Sequence, residues 1–176
     1  MSSLAQSIAG AFTANTMTQY IGCFIISMLP LIELRGAIPI AYWFKSMNPD
    51  GFNLVMGYIV IAIGNMVPVP IIFFFARKVL EWGKDKRFIG KFFTFCLEKG
   101  HRGGEKLQAK AGRGLFLALL LFVGIPMPGT GAWVGTLAAS ILDMKFKESV
   151  IAVMLGVVLA GIIMGLLSAG LFTAIV

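Results

Sequence analysis

The sequence predicts an all-α integral membrane protein. It is read as two inverted repeats, each a re-entrant helical hairpin plus a transmembrane helix, joined by a basic cytoplasmic loop with an amphipathic helix. Three observations predict this. The 176 residues are 58% hydrophobic and 13% charged, with a mean hydropathy of +0.88, whereas soluble domains are about a quarter charged. Apolar stretches exceed ~18 residues, the length that reads as membrane-spanning. Two of those stretches are interrupted near the middle by Pro and Gly.

Four apolar blocks follow one another, at about 17–44, 53–76, 114–142 and 149–176. No Pro/Ser/Gly-rich linker divides them, so the chain reads as a single membrane domain over 1–176. Repeat one covers about 17–76, the loop about 77–113, and repeat two about 114–176. Blocks one and three are the interrupted ones, "MLPLIELRGAIP" and "GIPMPGTGAW". The distance from Gly36 to Leu54 is 18 residues, as is that from Gly131 to Ser149. Interrupted segments in corresponding positions point to a transporter with inverted repeats.

The net charge is +7, and residues 77–113 account for it with eleven basic and four acidic residues. By the positive-inside rule this loop is cytoplasmic. Blocks that all crossed the membrane would leave Lys145 and Lys147 on the outer side. Re-entrant hairpins at blocks one and three bring those lysines beside the basic loop and direct the hairpin tips toward mid-membrane. Re-entrant backbone cannot face lipid, because its turn leaves polar groups that must be satisfied in the protein or in a wet cavity. Within the loop, Phe88, Phe92, Phe95 and Cys96 share one helical face, which predicts an interfacial helix on an anionic leaflet. The basic loop beside membrane spans excludes nucleic acid as a partner. The localisation expected is the inner (cytoplasmic) membrane, multi-pass.

Glu33 and Arg35 are the exceptional charges. An ionised side chain at the centre of a membrane helix costs about 2.5–3.5 kcal/mol on insertion scales. Glu33 is the candidate proton-coupling group, because desolvation and a nearby Arg act on its carboxyl in opposite directions. Arg35 stays charged and can fork two hydrogen bonds to a phosphate or carboxylate. Gly36 and Pro39 are expected to turn the chain back. At the second tip, Pro128, Gly129, Thr130, Gly131 and Trp133 offer a backbone nest, a hydroxyl and an indole, with a half-helix starting near Ala132. Asn65, followed by Pro68 and Pro70, either serves carbonyls freed by the prolines or lines the cavity. In block four, Gly161 and Gly165 form a GxxxG that Gly156 and Ala160 extend. This face either packs within the chain or makes a homodimer. His101 lies in a solvated turn, and Cys23 and Cys96 have neither disulfide nor metal spacing. Soluble-enzyme signatures are absent, so neither an enzyme nor a cofactor is expected.

The motifs "ELRGAIP" (33–39) and "PMPGTGAWVG" (126–135) resemble the paired signatures of the small multidrug export family, which is similar to the wider DedA superfamily. The resemblance implies two re-entrant hairpins in inverted repeats. It also implies proton-dependent drug tolerance, flipping of polyprenyl-phosphate carriers, or lipid scrambling, with a carboxylate and arginines at the tips. Glu33 and Arg35 match that pattern. The second tip lacks an acid and an Arg, and only Arg113 stands near as a substitute. The function expected is thus a proton-coupled secondary transporter alternating access between the tips. Its partners are protons, membrane lipids, and a lipid-phosphate or small amphipathic substrate. The alternatives are an uncoupled scramblase and a non-transporting scaffold.

Overall fold

The computed structural model describes residues 15–30, 32–83, 114–127 and 129–175. These residues are helical, with no strand among them. The helices are α1 Thr16–Met28, α2 Glu33–Met47, α3 Leu54–Met66, α4 Pro68–Gly83, α5 Gly114–Gly124, α6 Ala132–Ile141 and α7 Phe146–Ile175. The predicted interfacial helix at 88–96, His101, Arg113 and Cys96 lie outside the described residues.

The chain divides into two compact units, Met1–Met66 with Val158–Val176, and Val67–Val157. In the first, α1 and α2 form an antiparallel hairpin. Asn15 caps α1, its side chain accepting from the Met17 N–H at 3.0 Å. Leu29 leaves helical geometry with ψ 133, as the residue before Pro30 must. Asn48 ends α2 and donates back to Thr16 at 3.2 Å, so the hairpin closes where it began. Tyr20 Oη accepts from the Asn53 N–H at 2.9 Å, and donates to the Asn53 carbonyl at 3.2 Å. The Asn53 side chain then caps α3 at the Met56 N–H, 3.1 Å away.

The expected turn residues are corrected by this geometry. Gly36 and Pro39 do not reverse the chain; both lie inside α2. The reversal falls between α1 and α2, where Leu29 and Pro30 leave the helix. Gly36 instead accommodates the Ile32 side chain, which a Cβ would strike. Pro39 withholds the N–H that would serve the Arg35 carbonyl. Pro68 and Pro70 likewise fall in the first turn of α4, after the break at Val67, where missing N–H groups cost nothing.

In the second unit, α5 and α6 form the other hairpin, with Gly135 against Leu119 and Val123. The Ser140 hydroxyl donates to the Phe73 carbonyl of α4 at 2.7 Å. Phe146, at the start of α7, packs on Phe73 and Phe74 with centroids 5.3 and 4.8 Å apart.

The two hairpins bury the same register. Gln19, Cys23 and Ser27 in α1 are buried, and so are Leu115, Leu119 and Val123 in α5, 96 positions later. Leu34, Ala37, Ile38 and Ala41 correspond to Ala132, Gly135, Thr136 and Ala139 at a shift of 98. Gly57, Ile61, Gly64 and Asn65 correspond to Ser149, Val153, Gly156 and Val157 at a shift of 92. Even single contacts recur. A Cβ on Gly64 would sit 2.7 Å from the Phe24 carbonyl, and one on Gly156 2.8 Å from the Leu120 carbonyl.

Two helical stretches are long and apolar enough to cross a membrane, Leu54–Phe75 and Phe146–Leu171, with windows only 33% and 39% buried. Ile59, Ile63, Ile71 and Phe75 face outward on the first, and Ile151, Leu155, Ile162 and Leu166 on the second. A core helix of a soluble protein would bury these residues; an outward apolar face of this length suits lipid. The small-residue face of α7 is used within the chain. Gly161 lies against Leu34 and Ile38, and Gly165 against Tyr58.

These contacts separate two glycines of one helix. Gly156→Ala meets backbone oxygen and should lower the melting temperature by several degrees, as overpacking of about 1–3 kcal/mol does. Gly161→Ala finds ordinary contact at 3.6 Å and should leave it unchanged or raise it. Thermal denaturation of the two variants in detergent checks the pair.

Candidate functional site at the first hairpin tip

The first tip gathers most of the polar side chains that the sequence singled out. Glu33 is the first residue of α2 and only 4% exposed. Its N–H bonds the Leu29 carbonyl at 3.0 Å, closing the turn. Its φ is 50°, in the left-handed region that favours glycine. A bulky residue held there costs of order 1 kcal/mol or more. The carboxylate also lies at a helix N-terminus, where the helix dipole favours negative charge. Arg35, two residues on, is half-buried and within Coulombic reach of Glu33.

Asn65 joins this level of the unit. Gly57 of α3 faces Ala41 of α2, so closely that a Cβ added to the glycine would lie 3.8 Å from the Ala41 methyl. Two turns onward in α3 is Gly64, and two turns back in antiparallel α2 is Leu34. Asn65 is therefore at the height of Glu33 and Leu34. It is 2% exposed, and its Oδ1 has no hydrogen-bond donor. Ser27, buried on α1 against Gly64, donates to the Phe24 carbonyl at 2.7 Å.

The second tip is built differently. Its chain reversal falls between α5 and α6, with positive φ taken by Gly129 (81°) and Gly131 (130°). Thr130 closes the turn on itself. Its hydroxyl donates to the carbonyls of Met127 and Ile125 at 2.9 and 3.1 Å, and its N–H bonds Met127 at 3.2 Å. The nest expected from Gly–Thr–Gly therefore spends its Thr130 groups on the fold. The half-helix does start at Ala132, with Trp133 half-buried in its first turn. Pro128 lies outside the described residues. The first and second tips stand in different units.

Sequence reading missed the buried polar stripe of α6. Thr136 and Ser140 are one turn apart, 0% and 4% exposed, and the Thr136 Oγ1 has no partner. Gln19 on α1 is also fully buried, with Nε2 unpartnered. The available signal was Thr and Ser at i, i+4 in an otherwise apolar helix.

If Asn65 is kept for a ligand or a proton, stability should improve without it. Replacing a buried, unsatisfied acceptor by an apolar side chain of similar size removes a penalty of about 1–3 kcal/mol. Asn65→Leu should therefore melt several degrees higher while losing transport. A lower melting temperature would assign Asn65 to the fold instead.

A family model described as "Putative small multi-drug export protein" matches residues 33–163. Neither a search of curated proteins nor one of solved structures finds a significant match.

Proposed function

The chain belongs to this small multi-drug export family, and from that premise we propose that it is a proton-coupled secondary transporter exporting small amphipathic compounds. The observation that carries this reading is the placement of Glu33. At a shift of 98 its counterpart is Gly131, also at positive φ. The second hairpin has a glycine there, in a different conformation at φ 130°, ψ −175°. The first hairpin keeps a buried carboxyl there at a cost in both strain and desolvation.

A buried carboxyl that can take up and release a proton is suited to carry one through a membrane protein. Protonated Glu33 gains a donor, and Asn65 Oδ1 at the same height lacks one. Ionised Glu33 has Arg35 within Coulombic reach. The two protonation states thus favour different surroundings, as coupling requires.

The matching burial registers support inverted repeats, and the arm lengths support re-entry. The arms α1, α2 and α6 have 13, 15 and 10 residues, or about 15–23 Å at 1.5 Å per residue, short of the ~30 Å hydrocarbon core. Alternating access between such repeats is the cycle we assign. The lipid-phosphate reading draws support from Arg35 alone, since Thr130 is committed to its turn.

Proteoliposomes test the coupling. A pH gradient should drive uptake of an aromatic amphipathic dye, and Glu33→Gln should cut the driven flux at least tenfold. Flux indifferent to the gradient, with Glu33→Gln silent, sinks the coupled reading in favour of a scramblase; no flux of dye or lipid leaves a scaffold. Cysteines at the exposed positions Asp50 and Lys145 should react with impermeant reagents from opposite sides of the membrane. Labelling from one side would contradict re-entry.

A further inference from the structure

Helix α1 keeps its large apolar residues outside and its polar ones within. Met17, Ile21, Ile25 and Leu29 are exposed, while Gln19, Gly22, Cys23 and Ser27 are buried. Gln19, Cys23 and Ser27 lie one turn apart on a single face, and each is fully buried. The second hairpin fills the same face of α5 with Leu115, Leu119 and Val123, so the packing register does not itself demand polar groups there.

Both ends of this face hold a buried polar atom without a partner. At the open end, Asn48 of α2 donates to Thr16 at 3.2 Å and to Gln19 Oε1 at 3.5 Å, while Gln19 Nε2 has no acceptor. Thr16 and Asn48 are half-buried, so this end meets the surface. At the tip end, Ser27 lies against Gly64. The next residue of α3 is Asn65, whose Oδ1 lacks a donor at the height of Glu33. Polar residues inside a membrane protein face its interior or a wet cavity, and they mark ion paths and proton relays.

The spacing between the ends suits water. Four residues of helix rise about 6 Å, which one water spans with two hydrogen bonds of ~2.8 Å. Amide, thiol and hydroxyl can each donate to such a water and accept from it.

We propose that the Gln19–Cys23–Ser27 face of α1 is the path by which protons pass between the open end of the first hairpin and Glu33. The packing in this structure is its shut state, and water enters as α1 and α2 part. A proton entering at Gln19 is handed from water to water, each accepting one and releasing another. It ends on the Glu33 carboxylate, which becomes the neutral acid. The three side chains position the waters. This rests on the proton-coupled reading and supplies its route.

Cys23 makes the path testable, because silver ion reaches a buried thiol only through water. The purified full chain carrying Cys96→Ser, in nanodiscs, is exposed briefly to silver nitrate. Thiols still free are then alkylated after unfolding and counted by mass. Cys23 should react at least tenfold faster than a thiol placed by Ile25→Cys, on the exposed face of the same helix, in a chain with Cys23→Ala. Gln19→Leu, which installs the second hairpin's residue, should slow the Cys23 reaction at least tenfold. It should also cut gradient-driven dye flux at least fivefold without lowering the melting temperature. If it impairs folding, Ser27→Ala, which loses a hydrogen bond only to its own helix, should cut the driven flux in a folded protein. A Cys23 as inert as the Ile25→Cys thiol, or a folded Gln19→Leu chain with reaction and flux unchanged, would overturn the proposal. Glu33→Gln should stop driven flux and leave Cys23 reactive. Flux that survives Glu33→Gln sinks the coupling reading, whereas an inert Cys23 beside Glu33-dependent flux sinks the path alone.

Discussion

Where each long helix meets its hairpin, a glycine leaves no room for a side chain. Gly64 presses on the Phe24 carbonyl and Ser27, and Gly156 on the Leu120 carbonyl and Val123. In a bilayer the lipid tails are as apolar as leucine, so helices gain little from hiding apolar surface from one another. Close backbone approach supplies the dispersion contacts that hold them. The rest of each unit follows from that contact. It fixes the height of the span against the hairpin, and so places Asn65 level with Glu33.

The hairpins impose a second constraint. The hairpin arms are 10–15 residues long, and every helix end leaves backbone groups to be satisfied. The first hairpin meets this with asparagines at its open end. Asn15, Asn48 and Asn53 each cap a turn with their own side chain. The second uses backbone instead, with Leu142 and Met144 bonded to Ala138 and Ala139 at 2.9 and 3.0 Å across the positive-φ Asp143. Different local chemistry thus closes two hairpins of the same register.

Much of the fold was legible. Four apolar blocks, two of them broken, became two hairpins and two long helices because hydropathy over ~20 residues is a strong signal. The turn in the first hairpin was misplaced because Gly36 and Pro39 look like breakers in isolation. Pro30 acts first by barring helix at Leu29, and a helix once begun tolerates a proline whose lost bond falls on a single carbonyl. The GxxxG of α7 was ambiguous because small residues announce close packing without naming the partner. Gly165 against Tyr58 supplies that partner from within the chain. The orphan atoms of Asn65 and Thr136 were not legible, since whether a polar group finds a donor depends on neighbours far along the chain.

Glu33 occupies a left-handed backbone position at 4% exposure, where the other hairpin has glycine. The helix N-terminus offsets part of the cost of placing that carboxylate there, typically about 0.3–1 kcal/mol. The first tip thus sets a charged residue at a strained backbone position, whereas the second gives its positive-φ positions 129 and 131 to glycine.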